Sequence, residues 1–314
     1  FVQDLGTFAA LQYLKTLPYV DLSRVGMVGH SMGGSAIQDG ALRAAESGVE
    51  INETNFPDAK FRECVEQFDT DQDGVLSAKE IALVGAIDCS GPVGGNGGIS
   101  DLTGIEYFTS LKSLVCGANQ IEKLDLSKNT QLDYLSCSNN LLTELNVSQN
   151  TKLHTIWCQG NELTELDVSG IGDALWKLNC RKNNLARLDV SNNTALRELD
   201  CAINPLTELD LSKNTDLSDL CCISCQLTRL DMSKNTVLSD LDCSYNPLVE
   251  LDVSKCTALE VLSLHECQLT QLDVSNNPEL ELLYVLKNSL TELDVSKNTK
   301  LTSLTCAENN LTSL

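Results

Sequence analysis

The sequence predicts an α/β solenoid, a right-handed coil with two short strands in every 21-residue repeat, and three columns of residues carry that reading. Leucines open successive repeats at Leu111, Leu132, Leu153, Leu175, Leu196, Leu217, Leu238, Leu259, Leu280 and Leu301, with one additional residue absorbed at 170–174. Five residues on stand Cys116, Cys137, Cys158, Cys180, Cys201, Cys222 and Cys243, then Leu264 and Val285, then Cys306. Three residues further, a turn column holds Asn119, Asn140, Asn161, Asn183, Asn204, Asn246, Asn288 and Asn309. A fixed period in the twenties makes each unit one coil that buries its apolar side only against the coils above and below.

The chain ahead of the coils divides in two. Residues 1–46 read as helix, strand, tight turn, helix. Phe8-Ala-Ala-Leu-Gln-Tyr-Leu-Lys carries an apolar helical face, Arg24-Val-Gly-Met-Val is a short buried strand, and Gly29-His30-Ser31-Met32-Gly33-Gly34 follows. Gly-x-Ser-x-Gly between strand and helix is a nucleophile elbow: small neighbours permit the sharp turn, and the serine stands at a helix head whose amides favour developing negative charge. The stretch from Tyr13 to Gly34 resembles the α/β-hydrolase family, near its dienelactone-hydrolase and polyester-hydrolase-like esterases. That resemblance implies Ser31 as nucleophile, the Met32 backbone amide as half of an oxyanion hole, and His30 as an elbow residue rather than the base. A serine nucleophile also needs a histidine oriented by a carboxylate. In that family both come from later strands, whereas here the pattern stops after one helix, and His154 and His265 belong to the coils. The expectation is a partial α/β-hydrolase segment without its triad. A serine ester hydrolase acting through Ser31, with the repeats as an accessory binding module, is the alternative.

Residues 47–103 are expected to cap the solenoid. Asp69-Thr-Asp71-Gln-Asp73-Gly74-Val75-Leu-Ser77-Ala-Lys-Glu80 matches the twelve-residue EF-hand loop. Alternate carboxylates of a tight loop converge on one point, glycine permits the bend, and the long terminal glutamate can chelate with both oxygens. The predicted Ca2+ ligands are Asp69, Asp71, Asp73, the Val75 carbonyl, Ser77 directly or through water, and Glu80. An amphipathic helix is expected to enter over 56–68, and Ser77 to cap an exit helix. Only one such loop is present, and Gly94-Gly-Asn-Gly-Gly98 then leads into the first coil. Because the first coil would otherwise expose its core, the loop is read as a calcium-stabilised cap rather than a sensor.

Residues 104–314 are read as about ten repeats. Leucine and valine replace cysteine at Leu264 and Val285, so that column is interior. Eight of the fourteen cysteines fall in it, where a free thiol behaves as a small hydrophobe. Reduced, buried thiols are therefore expected instead of a disulfide framework, and zinc is not expected because Cys222-Ile-Ser-Cys225, the nearest approach to the Cys-x-x-Cys grammar, is joined to no second pair. Stacked asparagine amides both donate and accept, which suits them to satisfy the turn backbone of the neighbouring coil. The pattern Leu-x-x-Leu-x-Cys-x-x-Asn-x-Leu resembles the leucine-rich-repeat family, in particular the short bacterial repeats of internalin-like and gut-anaerobe surface proteins. Internalin-like proteins also resemble the arrangement of a helical cap before the repeats. The resemblance implies a surface or secreted bacterial protein that binds a protein or glycan.

Counting each opening leucine as place 1, residues at places 3, 5, 7 and 8 are expected on one broad strand face. There they include Tyr134 and Trp157, then Lys177, Arg181 and Lys182, then Asp219, Asp240, Asp242 and Tyr245, and finally His265 and Tyr284. Aromatics and arginine favour docking, so these residues form the candidate partner face. The opposite segment repeats Glu and Asp, among them Asp125, Asp167, Asp189 and Asp210, and reads as a solvated surface.

Composition agrees with thin coils: 42% of the 314 residues are hydrophobic but only 4% aromatic, and the net charge is −22. Such acidity opposes nucleic-acid binding, which draws on clustered Lys and Arg. No apolar run reaches the length of a membrane span, and a monomer is expected. The chain begins at Phe1 and stops within a repeat, so both ends are expected to be cut.

Overall fold

The computed structural model describes residues 48–92 and 95–312. The hydrolase-like segment with Ser31 and Met32 lies outside the described residues. The cap opens with β1 (Val49–Glu50), α1 (Ala59–Glu66), β2 (Val75–Leu76) and α2 (Ala78–Leu83), and continues into β3 (Ala86–Asp88). Each following coil adds one three-residue strand: β4 (Ser113–Val115), β5 (Tyr134–Ser136), β6 (Thr155–Trp157), β7 (Lys177–Asn179), β8 (Glu198–Asp200) and β9 (Asp219–Cys221). The series ends with β10 (Asp240–Asp242), β11 (Val261–Ser263), β12 (Leu282–Tyr284) and β13 (Ser303–Thr305).

Strands β3 to β13 form one parallel sheet in chain order. Register follows the repeat: Ser113 pairs with Tyr134 and Tyr134 with Thr155, and the additional residue at 170–174 is absorbed in a 3-10 turn so that Thr155 still meets Lys177. Places 1, 4 and 6 point inward. Leu132, Leu135 and Cys137 are fully buried, as are their counterparts along most of the stack, opposite the interior residues of the returning segment such as Leu142 and Val147. Full burial of one such side chain is worth about 1.5–3 kcal/mol, but only neighbouring coils supply the contact.

The expectation of two strands per repeat is corrected: each coil has one. On the returning side an aspartate accepts the amide of the serine two residues on, as in Ser127 N to Asp125 Oδ1 at 2.9 Å, and a tight turn follows with Asn129 N donating to Leu126 O at 3.0 Å. Local bonds thus consume the amides a second ladder would need. Inter-coil backbone bonds on that side are sparse, for example Leu141 N to Ile121 O at 2.9 Å, and Pro205 and Pro247 occupy the equivalent place without any N–H to give.

Asparagine connects the coils. Asn140 Oδ1 accepts Ile121 N at 3.0 Å, while its Nδ2 donates to Cys116 O and Cys137 O, both at 3.0 Å. Where cysteine replaces asparagine the thiol reaches the same carbonyl of the preceding coil, Cys225 to Cys201 O at 3.5 Å and Cys267 to Cys243 O at 3.4 Å. A second amide ladder, unread in the sequence, runs through Asn129, Asn150, Asn193, Asn214, Asn235, Asn277 and Asn298. Asn214 Nδ2, for instance, donates to Val190 O at 3.1 Å and Asn193 O at 2.8 Å. Cys256 stands in this column too, its sulfur 3.7 Å from Met232 O.

The cap closes the first coil with Phe56, Phe61, Val65 and Leu76, all fully buried, against Phe108. Gly104 (φ 106°) brings its backbone so close to the Phe56 ring that a Cβ would lie 2.2 Å from it.

Candidate functional site

Two regions carry chemistry: the acidic loop of the cap and the outward face of the sheet. Asp58 caps α1, accepting Lys60 N and Phe61 N, and also holds Ser100 through N–H and O–H, which ties the helix to the entry of the first coil. In the loop, Asp69 accepts Asp73 N at 3.2 Å and Gly74 N at 2.8 Å, and Asp73 accepts Val75 N at 2.8 Å. Gln72 and Gly74 adopt left-handed φ of 59° and 82°, the latter at the place where the sequence requires glycine. One carboxylate oxygen from each of Asp69, Asp71 and Asp73 falls within 4.8 Å of the others. Desolvation in the loop, followed by the charge of Asp73, pushes the Asp71 carboxyl up.

Of the six residues predicted for calcium, the fold therefore brings three carboxylates together. Val75 enters β2, which pairs with β1 as Val49–Leu76 and Glu50–Val75, so the strand of a lone loop is satisfied by the segment ahead of it. Ser77 and Glu80 form a capping box at the head of α2. Glu80 also accepts the backbone N and the hydroxyl of Thr70, each at 2.6 Å, and these bonds, the Thr70 hydroxyl first, hold its carboxyl down at about 2. The donor set, oxygen only and with three convergent carboxylates, fits a hard cation.

On the sheet, Trp157, Lys177, Asn179, Glu198, Asp200 and Asp219 line a depression of about 140 Å³. Lys177 Nζ lies 5.5 Å from the Trp157 ring centroid and pairs with Glu198. The Trp157 indole N–H is enclosed and has no acceptor among the described residues. Glu198, Asp219 and Asp240 sit opposite one another on successive strands, with Asp200 and Asp242 beside them. Partial burial and then the Asp219 charge push Asp240 up to about 6. Further along, His265 stacks obliquely on Tyr284 with centroids 5.9 Å apart, and Tyr245 is half exposed.

Tyr134, Trp157, Lys177, Asp219, Asp240, Asp242 and Tyr284 thus stand on the strands themselves. Arg181, Lys182, Tyr245 and His265 belong to the turn that follows, where Lys182 and Tyr245 hold left-handed φ of 55° and 59°. Sequence reasoning passed over Asn179, which pairs in register with Trp157 and was legible by counting to place 5, and also Trp176, which is exposed and stacked on His154 at 6.0 Å but stands at place 2, outside the places counted. The opposite acidic columns line an open groove of about 1130 Å³. Its aspartates are not merely solvated: the serine two residues on donates to each, holding carboxyls such as Asp231 and Asp273 below their ordinary value.

The cysteine column is fully buried from Cys116 to Cys243, and burial pushes thiols such as Cys116 and Cys158 well up, Cys137 to about 12. No helix among the described residues is long and apolar enough to cross a membrane.

No protein-family model matches the chain. Internalin J of Listeria monocytogenes serotype 4b (strain F2365) is 40% identical over 76 residues, 24% of this chain and 8% of that protein. The solved functional domain of InlJ from Listeria monocytogenes, described as including a cysteine ladder, superposes with a TM-score of 0.70 at 35% identity, covering 86% of this chain and 64% of that one. The internalin InlF from strain 4b F2365 superposes at 0.69 with 20% identity over 85% of this chain and 91% of that one, a likeness of fold alone. The chain thus spans under two thirds of the InlJ domain and less than a tenth of the full Internalin J. With its single-stranded coils, buried thiol column and asparagine turns, the described part of the chain has a leucine-rich-repeat fold similar to that of the internalins.

Proposed function

We propose that this chain is the interaction module of a bacterial surface or secreted protein and that it docks a protein partner on its strand face. The depression around Trp157 carries the reading. The partly exposed Trp157 ring, with a lysine over it and amide and carboxylate groups at the rim, offers both an apolar anchor and directional polar contacts. The likeness to internalins supports the location and the mode of use. The acidic loop takes Ca2+ in this reading, and the metal stabilises the cap rather than contacting the partner.

A pull-down from host or bacterial extracts with the full chain tests the face. Trp157→Ala should lose the captured protein about tenfold or more while the fold stays intact, since a central aromatic anchor is commonly worth 2 kcal/mol or above. Capture that is indifferent to Trp157→Ala and Lys177→Ala, yet lost on altering the returning segment, would move the interface to the other side.

A further inference from the structure

Three cysteines among the described residues are only partly buried: Cys64, Cys221 and Cys306. Cys64 differs from the other two in facing another thiol. It lies on α1, and its sulfur sits 3.5 Å from the Asp88 carbonyl, which puts it beside Cys89, the residue that follows on the chain just past β3. Gln67 Nε2 approaches the same sulfur at 3.8 Å. The neighbouring thiol contacts within the solenoid, such as Cys201 with Cys225, are enclosed in the core, whereas Cys64 is open to solvent and to a reagent.

We infer that Cys64 and Cys89 are a redox-active pair that closes to a disulfide and staples the cap helix to the first strand of the sheet. Two independent features support this. The pair joins two separate elements at the seam between cap and solenoid, and the loop it would close, from Cys64 to Cys89, contains the whole acidic loop and α2. The two thiols are also unequal in the way that favours thiol exchange: the hydrogen bond from the Cys89 thiol holds the Cys64 thiol below its ordinary value, while that bond and burial push Cys89 up.

The chemistry needs a small-molecule disulfide of the glutathione class as oxidant. The Cys64 thiolate attacks one sulfur of it, the first half departs as thiolate and takes up a proton, and a mixed disulfide remains on Cys64. Cys89 then loses its proton and attacks the Cys64 sulfur, and the second half leaves and is protonated. Two protein thiols are oxidised by two electrons and one small disulfide is reduced to two thiols.

The test uses the full chain treated with glutathione disulfide, then alkylated without denaturation, digested without reduction and read by mass spectrometry. The expected product is a linked peptide pair joining Cys64 to Cys89, two hydrogens lighter than the sum of its parts. Thermal unfolding should shift upward by several degrees on oxidation and return with dithiothreitol, because a closed loop restricts the unfolded chain. Cys64→Ser, at a partly exposed position, should fold and lose this redox-dependent shift. Cys64 left fully alkylated, a glutathione adduct that persists on Cys64 while Cys89 stays free, or a link from Cys64 to any other cysteine would overturn the inference. So would a melting temperature indifferent to oxidation in a chain shown to carry the link.

Discussion

Two places beyond the core cysteine, coil after coil sets a residue in the left-handed region, and only Gly160 fills that place with glycine. Ala118, Asn139, Lys182, Ile203, Ser224, Tyr245, Glu266, Lys287 and Glu308 hold φ between 52° and 59° there. For an L-residue this costs roughly 1–2 kcal/mol, and Ile203 is the most strained, being β-branched and still 40% exposed. Ile203→Asn should raise stability by about 0.5–1 kcal/mol, read as a higher urea midpoint; an unchanged or lower midpoint would mean that packing at Ile203 outweighs its strain. The turn asparagines are set apart by chemistry instead. Since Cys225 and Cys267 reach the same carbonyl that an amide would, Asn246→Cys should retain more stability than Asn246→Leu. The leucine variant leaves Cys222 O and Leu227 N without a partner, at about 1–3 kcal/mol for each buried group, and Cys243 O with only the Cys267 thiol. Equal losses for the two variants would show that size, not hydrogen bonding, governs the column.

At the level of single elements, the strand ladder sets like charges against one another. Asp240 opposes Asp219 across the sheet and has Asp242 on its own strand, an arrangement that destabilises the pair when both are ionised. Its folded pKa of about 6 is above the ordinary value of 3.8. The stability linked to the proton is therefore complete below pH 3.8 and is lost as pH rises through 6. Asp240→Asn should flatten the melting curve against pH between those values and leave the protein more stable at pH 7; a variant with the same pH slope as the parent would place the proton elsewhere. The cap offers a cleaner separation of roles. Asp69 and Asp73 accept loop amides at 3.2 Å or less and Glu80 holds Thr70 and Ser77 in place, whereas Asp71 is exposed and crowded by the charge of Asp73. Asp71→Asn should keep the calcium-free melting temperature and lose the rise that calcium gives the parent chain. Glu80→Gln should melt lower even without calcium. Calorimetry with and without the ion reads both, and a parent chain indifferent to calcium would remove the metal from the loop.

Across the whole molecule, stability runs from coil to coil. One core cluster extends from Phe56 in the cap to Leu293, and the sheet continues through β3, so the cap supplies the first rung as well as a cover. Beside this apolar column run two amide ladders, each asparagine bridging its own coil and the one before it. The strand face is the surface that stays variable from coil to coil, because places 3 and 5 lie outside the apolar column even where neighbours cover a small residue such as Thr155 or Ser136. That freedom is what lets Trp157, Lys177 and Asn179 gather beside a run of carboxylates without disturbing the stack.

The repeat, its register, the buried cysteine column and the turn asparagines were all legible from spacing, since a period of one coil puts residues 21 apart against each other whatever else the chain does. The acidic loop was legible for the same reason, as a fixed order of carboxylates around a glycine. Spacing did not reveal that the returning segment forms no ladder. Its Leu-x-x-Leu-x-Val order repeats the apolar places of the strand, and the competition between aspartate carboxylates and the backbone carbonyls of the neighbouring coil for the same N–H groups decides against pairing. Nor could it place Glu80, drawn to Thr70 across the loop, or bring Cys64 to Cys89. Those contacts depend on how the cap helix packs on the first coil, which is fixed by the shapes of Phe56, Phe61 and Phe108 in three dimensions rather than by any interval along the chain.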